Sequence, residues 1–300
     1  MQTALFRKAF STKTVLVRLS ALTALSAGMW VAYTQTPQAP PQLQLEKIKD
    51  DLYAIIGDGG NVAVYLTNEG TILIDDKFER DYADIMAKVK SVTDKPVKYL
   101  LNTHQHGDHT GGNEKMLGAS AEIIAHKNAR ANMVEGKMPG VPHVSFTDET
   151  EVFLGGKEVR ARYFGRGHTN GDAVIYFPAL RVIHTGDLFT VGTSSAPITI
   201  APFIDYSAKG SVVEWTKTID GILNSGWDFD VVIPGHGPIS KREDLVKYRQ
   251  NFEKMRNRVS GMVRESKSKD EVAKTLTAEF GWAAGAMGAR SIDPMMAELR

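Results

Sequence analysis

The sequence predicts an α/β layered fold, on three observations. Short apolar runs rich in β-branched residues alternate with stretches of helical periodicity. The segments between them are short and rich in Gly, Asn and Asp, as turns require. Five histidines and three aspartates in distinctive local settings fall just past the ends of those apolar runs, not inside them. No internal repeat competes with this reading.

The elements follow in order. Residues 52–56, 62–67 and 71–74 read as strands, separated by turns at 57–61 and 68–70. Residues 80–92 carry apolar side chains at Tyr82, Ile85, Met86, Val89 and Val92, a helical period. Residues 97–101 form the next strand, and a short helix over 113–117 should end at Gly118. Further strands are expected at 122–125, 159–164, 173–177, 181–184 and 229–233. Helices are expected at 212–223 and 242–264. Ligands carried on loops just beyond strand ends can be held rigidly, whereas ligands within a strand would point to opposite faces.

The first 40 residues differ in kind from the rest. Arg7, Lys8, Lys13 and Arg18 precede an apolar run over 19–33, and a polar, Pro-rich stretch follows. This is the layout of an export signal and linker, and the run is shorter than the roughly 20 residues needed to span a bilayer as a helix. The expected location is periplasmic or secreted, with an uncleaved N-terminal anchor as the alternative. Residues 41–259 are then expected to form the main folded domain, and 260–300 a C-terminal helical appendix packed on it.

Composition narrows the chemistry. The chain has no cysteine, which excludes disulfides, thiolate ligands and a cysteine nucleophile. Without the basic N-terminus, 32 basic residues face 35 acidic ones. Nothing in that balance suggests a nucleic-acid partner, which would call for a basic excess or stripe. No stable membrane association is expected after signal removal, and the sequence leaves the oligomeric state open.

The densest motif is Asn102-Thr103-His104-Gln105-His106-Gly107-Asp108-His109-Thr110-Gly111-Gly112-Asn113. His104 and His106 can reach one metal from the same side of an extended loop. Gly107 would let the chain turn sharply, so that Asp108 and His109 face a second position. His168 in Gly167-His168, Asp187 in Thr185-Gly186-Asp187 and His236 in Pro234-Gly235-His236-Gly237 each follow a strand. Neutral imidazoles and carboxylates converging on one point are what a hydrolytic metal centre needs. The remaining histidines have plainer readings: His126 as a helix-start or surface residue, His143 in a segment that could cover the groove, His184 as a packed strand residue. Phe203, Asp205 and Tyr206 lie in a segment, 191–210, that could line a substrate pocket. Ser194, Ser195 and Ser207 have no motif around them and read as loop residues.

From about residue 52 to 238 these motifs resemble the metallo-β-lactamase superfamily of dinuclear zinc hydrolases. The resemblance implies a four-layer αβ/βα sandwich with the metals in a groove at one edge of its two sheets. It implies that His104, His106 and His168 hold one zinc, that Asp108, His109 and His236 hold the second, and that Asp187 bridges both. Asp75, which ends the run Thr71-Ile72-Leu73-Ile74-Asp75, matches an early aspartate of the family that supports the site from behind. Hydrolysis would then proceed through water activated between two zinc ions, with Asp108 orienting it and passing its proton to the leaving group. Iron or manganese would also suit a site of nitrogen and oxygen donors only.

Asp187 also marks a departure. The cysteine-bearing β-lactamases of the superfamily have Cys at that place, and a second secreted lactamase group lacks the bridging acid. An aspartate there is similar to glyoxalase II and the lactonases. The expected function is an exported zinc hydrolase, β-lactamase-like or lactonase-like, that cleaves a small cyclic amide or ester. The alternatives are a thioesterase of glyoxalase II type and a non-catalytic metal-binding accessory protein.

Overall fold

The computed structural model describes residues 42–192, 203–282 and 286–300. The expected export signal and the Ser194-Ser195 pair lie outside them. Seven strands form the first sheet, in sequence order: β1 (Gln44–Lys49), β2 (Leu52–Ile56), β3 (Val62–Leu66), β4 (Thr71–Ile74), β5 (Val97–Asn102), β6 (Glu122–His126) and β7 (Val144–Phe146). Pairing is antiparallel from β1 to β4 and parallel from β4 to β7. The second sheet is likewise in sequence order: β8 (Glu149–Leu154), β9 (Lys157–Tyr163), β10 (Ala173–Phe177), β11 (Val182–His184), β12 (Val231–Ile233) and β13 (Ser240–Lys241). Its one parallel pair is β11 with β12.

Alternation along the strands builds four layers. Ala63, Tyr65, Ile72 and Ile74 of the first sheet pack in one core with Ala173, Ile175 and Phe177 of the second. Their neighbours Val62, Val64 and Leu73 turn the other way, onto Ile85 and Val89 of α1 (Tyr82–Val92) and Met116. Met116 belongs to α3 (Asn113–Gly118), which follows the one-turn helix α2 (Gly107–Thr110). On the far side, Val174 and Tyr176 share a third core with Trp215 and Ile219 of α5 (Val212–Leu223) and Phe252 of α6 (Arg242–Arg264). The fold class is thus the two-sheet α/β sandwich that the sequence predicts. Strands buried on both faces read as continuous apolar runs, which is why β3, β4 and β10 are plain in the sequence.

A further helix, α4 (Lys127–Glu135), follows β6 and starts at His126, whose Nδ1 accepts from the Asn128 N–H. His126 is therefore a helix start as expected, but buried and not on the surface; its ring stacks on Tyr163 of the second sheet with centroids 4.1 Å apart. Helix α6 runs past residue 260 without a break, and α7 (Lys269–Phe280) and α8 (Ala286–Glu298) follow it. Val272, Leu276, Ile292 and Met295 from these two helices join the third core. Among the described residues, no helix is long and apolar enough to cross a membrane.

Candidate metal centre

Strand register delivers the donors. β4 pairs with β5 so that Ile74 lies opposite Leu101, and the next residues, Asp75 and Asn102, leave the first sheet together. On the second sheet His184 lies opposite Ile233, so Asp187 and His236, each three residues further on, also leave side by side. His168 comes from the connection between β9 and β10. In the motif itself, His106 starts α2 with an extended backbone, and that single turn carries Asp108 and His109. Gly107 has no positive φ, and a side chain there would meet nothing within 4 Å, so the turn does not need the freedom of glycine. Glycine is needed at Gly60 and Gly235, where a Cβ would collide with the His109 ring and with Asp187 Oδ1 respectively.

The seven candidate donors form two groups. His104, His106, His168 and Asp187 present one ligand atom each within 4.8 Å of one another, and Asp108, His109 and His236 do the same. In the first, His106 Nδ1 lies 3.1 Å from His104 Nε2 and 2.8 Å from His168 Nε2. In the second, His236 Nε2 lies 3.4 Å from His109 Nε2 and 3.3 Å from Asp108 Oδ2. Asp187 reaches both: Oδ1 is 3.3 Å from His109 and from His236, and Oδ2 is 3.6 Å from His168.

Four imidazoles are turned so that the outer nitrogen donates and the inner one faces the site. His109 Nδ1 donates to Asp75 Oδ2 at 2.7 Å, and His168 Nδ1 to the Phe203 carbonyl at 2.6 Å. His106 Nε2 donates to Asp205 Oδ2 at 2.8 Å. His104 Nδ1 meets Thr103 Oγ1 at 3.1 Å, and that hydroxyl gives its own proton to Asp75. In the first group, tautomers assigned from these partners leave lone pairs facing lone pairs, an arrangement that repels itself unless a cation lies between. Asp187 Oδ1 is buried with no donor aligned on it. Nitrogen ligands about 2.0–2.1 Å from a tetrahedral ion stand a little over 3 Å apart. The residues present therefore fit two divalent cations.

Electrostatics separates the two groups. Burial pushes the His168 imidazole down to about 4, and holds His104 well below its ordinary value with help from the neighbouring histidines. Burial would lower His109 as well, but Asp187, Asp75 and Asp108 outweigh it and raise it well above normal. His236 rises to about 9 against its own burial, through Asp187 and Asp108. Asp108 falls to about 2 despite its burial, because His109 and His236 stand beside it. His104 and His168 of the first group are thus held as neutral imidazoles, while His109 and His236 of the second favour a proton that a cation would displace.

The profile of the metallo-beta-lactamase superfamily matches residues 55–236, which include all seven donors. The chain belongs to this superfamily. It is 24% identical over 208 residues to a metallo-beta-lactamase type 2 of Elizabethkingia meningoseptica, covering 66% of this chain and 80% of that protein. It is 29% identical over 155 residues to the 2,4-dinitroanisole O-demethylase subunit alpha of Nocardioides sp. (strain JS1661), covering 50% and 43%. Among solved structures, a metallo-beta-lactamase from Pontibacter korlensis superposes with a TM-score of 0.62 at 23% identity, over 71% of this chain and 99% of that one. The superfamily is one of metal-dependent hydrolases; the chain has its fold and, inside the matched region, a His/Asp cluster that could hold metal.

Other residues expected from the sequence divide. Asp75 lies directly behind His109 and, through Thr103, behind His104. Phe203 and Asp205 touch the site as described, whereas the Tyr206 hydroxyl turns away to Glu298. Ser207 donates to Asp205. His184 is packed in β11 and donates to the Asn61 carbonyl; His143 is exposed before β7, outside both donor groups.

Several residues that shape the candidate site did not stand out in the sequence. Asn102 and Asn113 exchange side-chain hydrogen bonds of 3.2 and 2.9 Å, closing both ends of the histidine motif on each other. Asn61 donates from its amide to the carbonyls of Pro234 and Gly237, stitching the His236 loop to the first sheet. Lys77 is fully buried and donates to the carbonyls of Asp58 and Gly60. Both flanking asparagines were visible as ends of the motif; nothing in the sequence pairs Asn61 with residues more than 170 positions away.

Proposed function

We propose that this chain is an exported two-metal hydrolase that opens a small cyclic amide or ester. The observation that carries the reading is Asp187, one carboxylate whose two oxygens reach both donor groups. Zinc ions held by His104, His106 and His168, and by Asp108, His109 and His236, would supply an acidified water and a Lewis acid for the scissile carbonyl. Asp108 is kept ionised at neutral pH and lies partly exposed in the groove, fitted to orient the attacking water and carry its proton to the leaving group. A cavity of about 280 Å³ opens beside His106, lined by Gln105, Asn132, Met138 and Asp205, a size suited to a small substrate. The lactamase relatives support the amide, and the aspartate at 187, in place of cysteine, supports the ester. Iron or manganese would serve the same donors.

A turnover panel on the purified, metal-loaded protein tests this reading. It comprises a cephalosporin, an acyl-homoserine lactone, a glutathione thioester, a phosphodiester and an aryl methyl ether. Chelator-sensitive opening of the lactam or the lactone is expected. Turnover of the thioester alone would move the function to the glyoxalase II type. Retained metal with no turnover in any arm would favour an accessory protein. Export rests on the basic and apolar pattern of residues 1–33, and recovery of periplasmic or secreted protein lacking them is the expected result.

A further inference from the structure

The superfamily profile ends at residue 236, and α8 lies entirely beyond it. Yet α8 grips the segment that supports two of the histidines. Ser291 is buried, and its hydroxyl both donates to the Ile204 carbonyl at 3.0 Å and accepts from the Ile204 N–H at 3.2 Å. Residue 204 lies between the carbonyl that receives His168 and the carboxylate that receives His106. One helix end further on, the Glu298 carboxylate accepts from Tyr206 Oη at 2.8 Å, from the Val212 N–H at 2.9 Å and from the Ser211 hydroxyl. Ile292 and Met295 bury themselves in the core that also holds Ile204. The held segment is stiff within itself. Asp205 Oδ1 takes the N–H groups of Ser207 and Ala208, which leaves Oδ2 for His106, and the Asp205 N–H donates to the His168 carbonyl.

We propose that α8 is a positioning element of the metal centre, its Ser291 and Glu298 setting the seat of segment 203–212 and, through it, the aim of His106 and His168. This rests on the two-metal reading above. His104 and His109 have a separate support in Asp75, so loosening α8 should disturb one metal position and spare the other. Supports of this kind typically change metal affinity by about 10–100-fold when lost.

The test is a cobalt(II) titration of the full-length chain, followed by its visible absorption, in wild type, Ser291→Ala, Glu298→Ala, Glu298→Gln and Ile292→Val. Wild type should bind two equivalents; fewer would overturn the two-metal reading, and this inference with it. Ser291→Ala and Glu298→Ala should each weaken one equivalent about tenfold and alter its absorption, leaving the other within twofold. Glu298→Gln, which keeps an acceptor oxygen, should recover part of the loss. Ile292→Val should lower the melting temperature without changing either affinity. Equal weakening of both equivalents, or lowered melting temperatures with unchanged affinities in Ser291→Ala and Glu298→Ala, would overturn the inference.

Discussion

The two walls of the candidate metal centre are built on opposite plans. On the first sheet, His104, His106, Asp108 and His109 stand within six residues of one loop, and their main support, Asp75, is a fully buried strand-end carboxylate. On the second, His168, Asp187 and His236 are spread over three loops, and the support at His168 is a backbone carbonyl in a segment held by α8. A contiguous motif needs one loop to be right, whereas a dispersed set needs three loops and their registers to agree. The first wall is therefore rigid by covalent proximity and burial. The second depends on contacts made far away in the chain.

Removing Asp75 should have the largest effect. Its oxygens accept from His109 Nδ1, the Thr103 N–H and the Thr103 hydroxyl, all buried. Asp75→Ala strands three donors at about 1–3 kcal/mol each, so a loss of about 3 kcal/mol or more is expected in urea unfolding, with both metal positions weakened. Retention of wild-type stability would show that water takes over those donors and that the first wall is less rigid than argued. Asn61→Ala comes next. It frees the carbonyls of Pro234 and Gly237, and about 2 kcal/mol of lost stability is expected. Asp205→Ala should cost less, about tenfold in affinity at the His106 position, read by competition with a chromogenic chelator. An equal loss at both positions would break the separation of the two donor groups.

The smallest effect probes the seam between the sheets, away from the metals. Burial pushes His126 down to about 4, below its value in the unfolded chain, so between about pH 6.5 and 4 the unfolded state binds the extra proton. Its contribution is fully present above pH 6.5 and lost as pH falls toward 4. The urea midpoint of wild type should therefore drop more steeply over that range than that of His126→Asn. Parallel slopes would contradict the assignment.

How much of this is legible in the sequence follows the same division. β3, β4 and β10 announce themselves because both faces are buried. β1 and β8 do not: Gln44–Lys49 and Glu149–Leu154 are edge strands, polar along most of their length, and β7 is only three residues long. Helix α4 carries only Ala129 and Met133 into the core, too few for a helical period to stand out. In the site, the histidine motif is readable because its donors are adjacent, and Asp187 and His236 because each follows a strand. Asp205 is not readable as a partner of His106, which lies 99 positions away, and an aspartate in the run Asp205-Tyr206-Ser207 has the look of an ordinary turn residue. Ser291 and Glu298 carry no motif at all; their meaning comes only from where α8 folds back.

The most direct test of the two-wall account is a metal count by native mass spectrometry at saturating zinc, on wild type and Asp187→Ala. Two zinc ions per wild-type chain, and fewer in the variant that lacks the carboxylate reaching both groups, is the predicted result. A single zinc in wild type, or two held as tightly without Asp187, would contradict it.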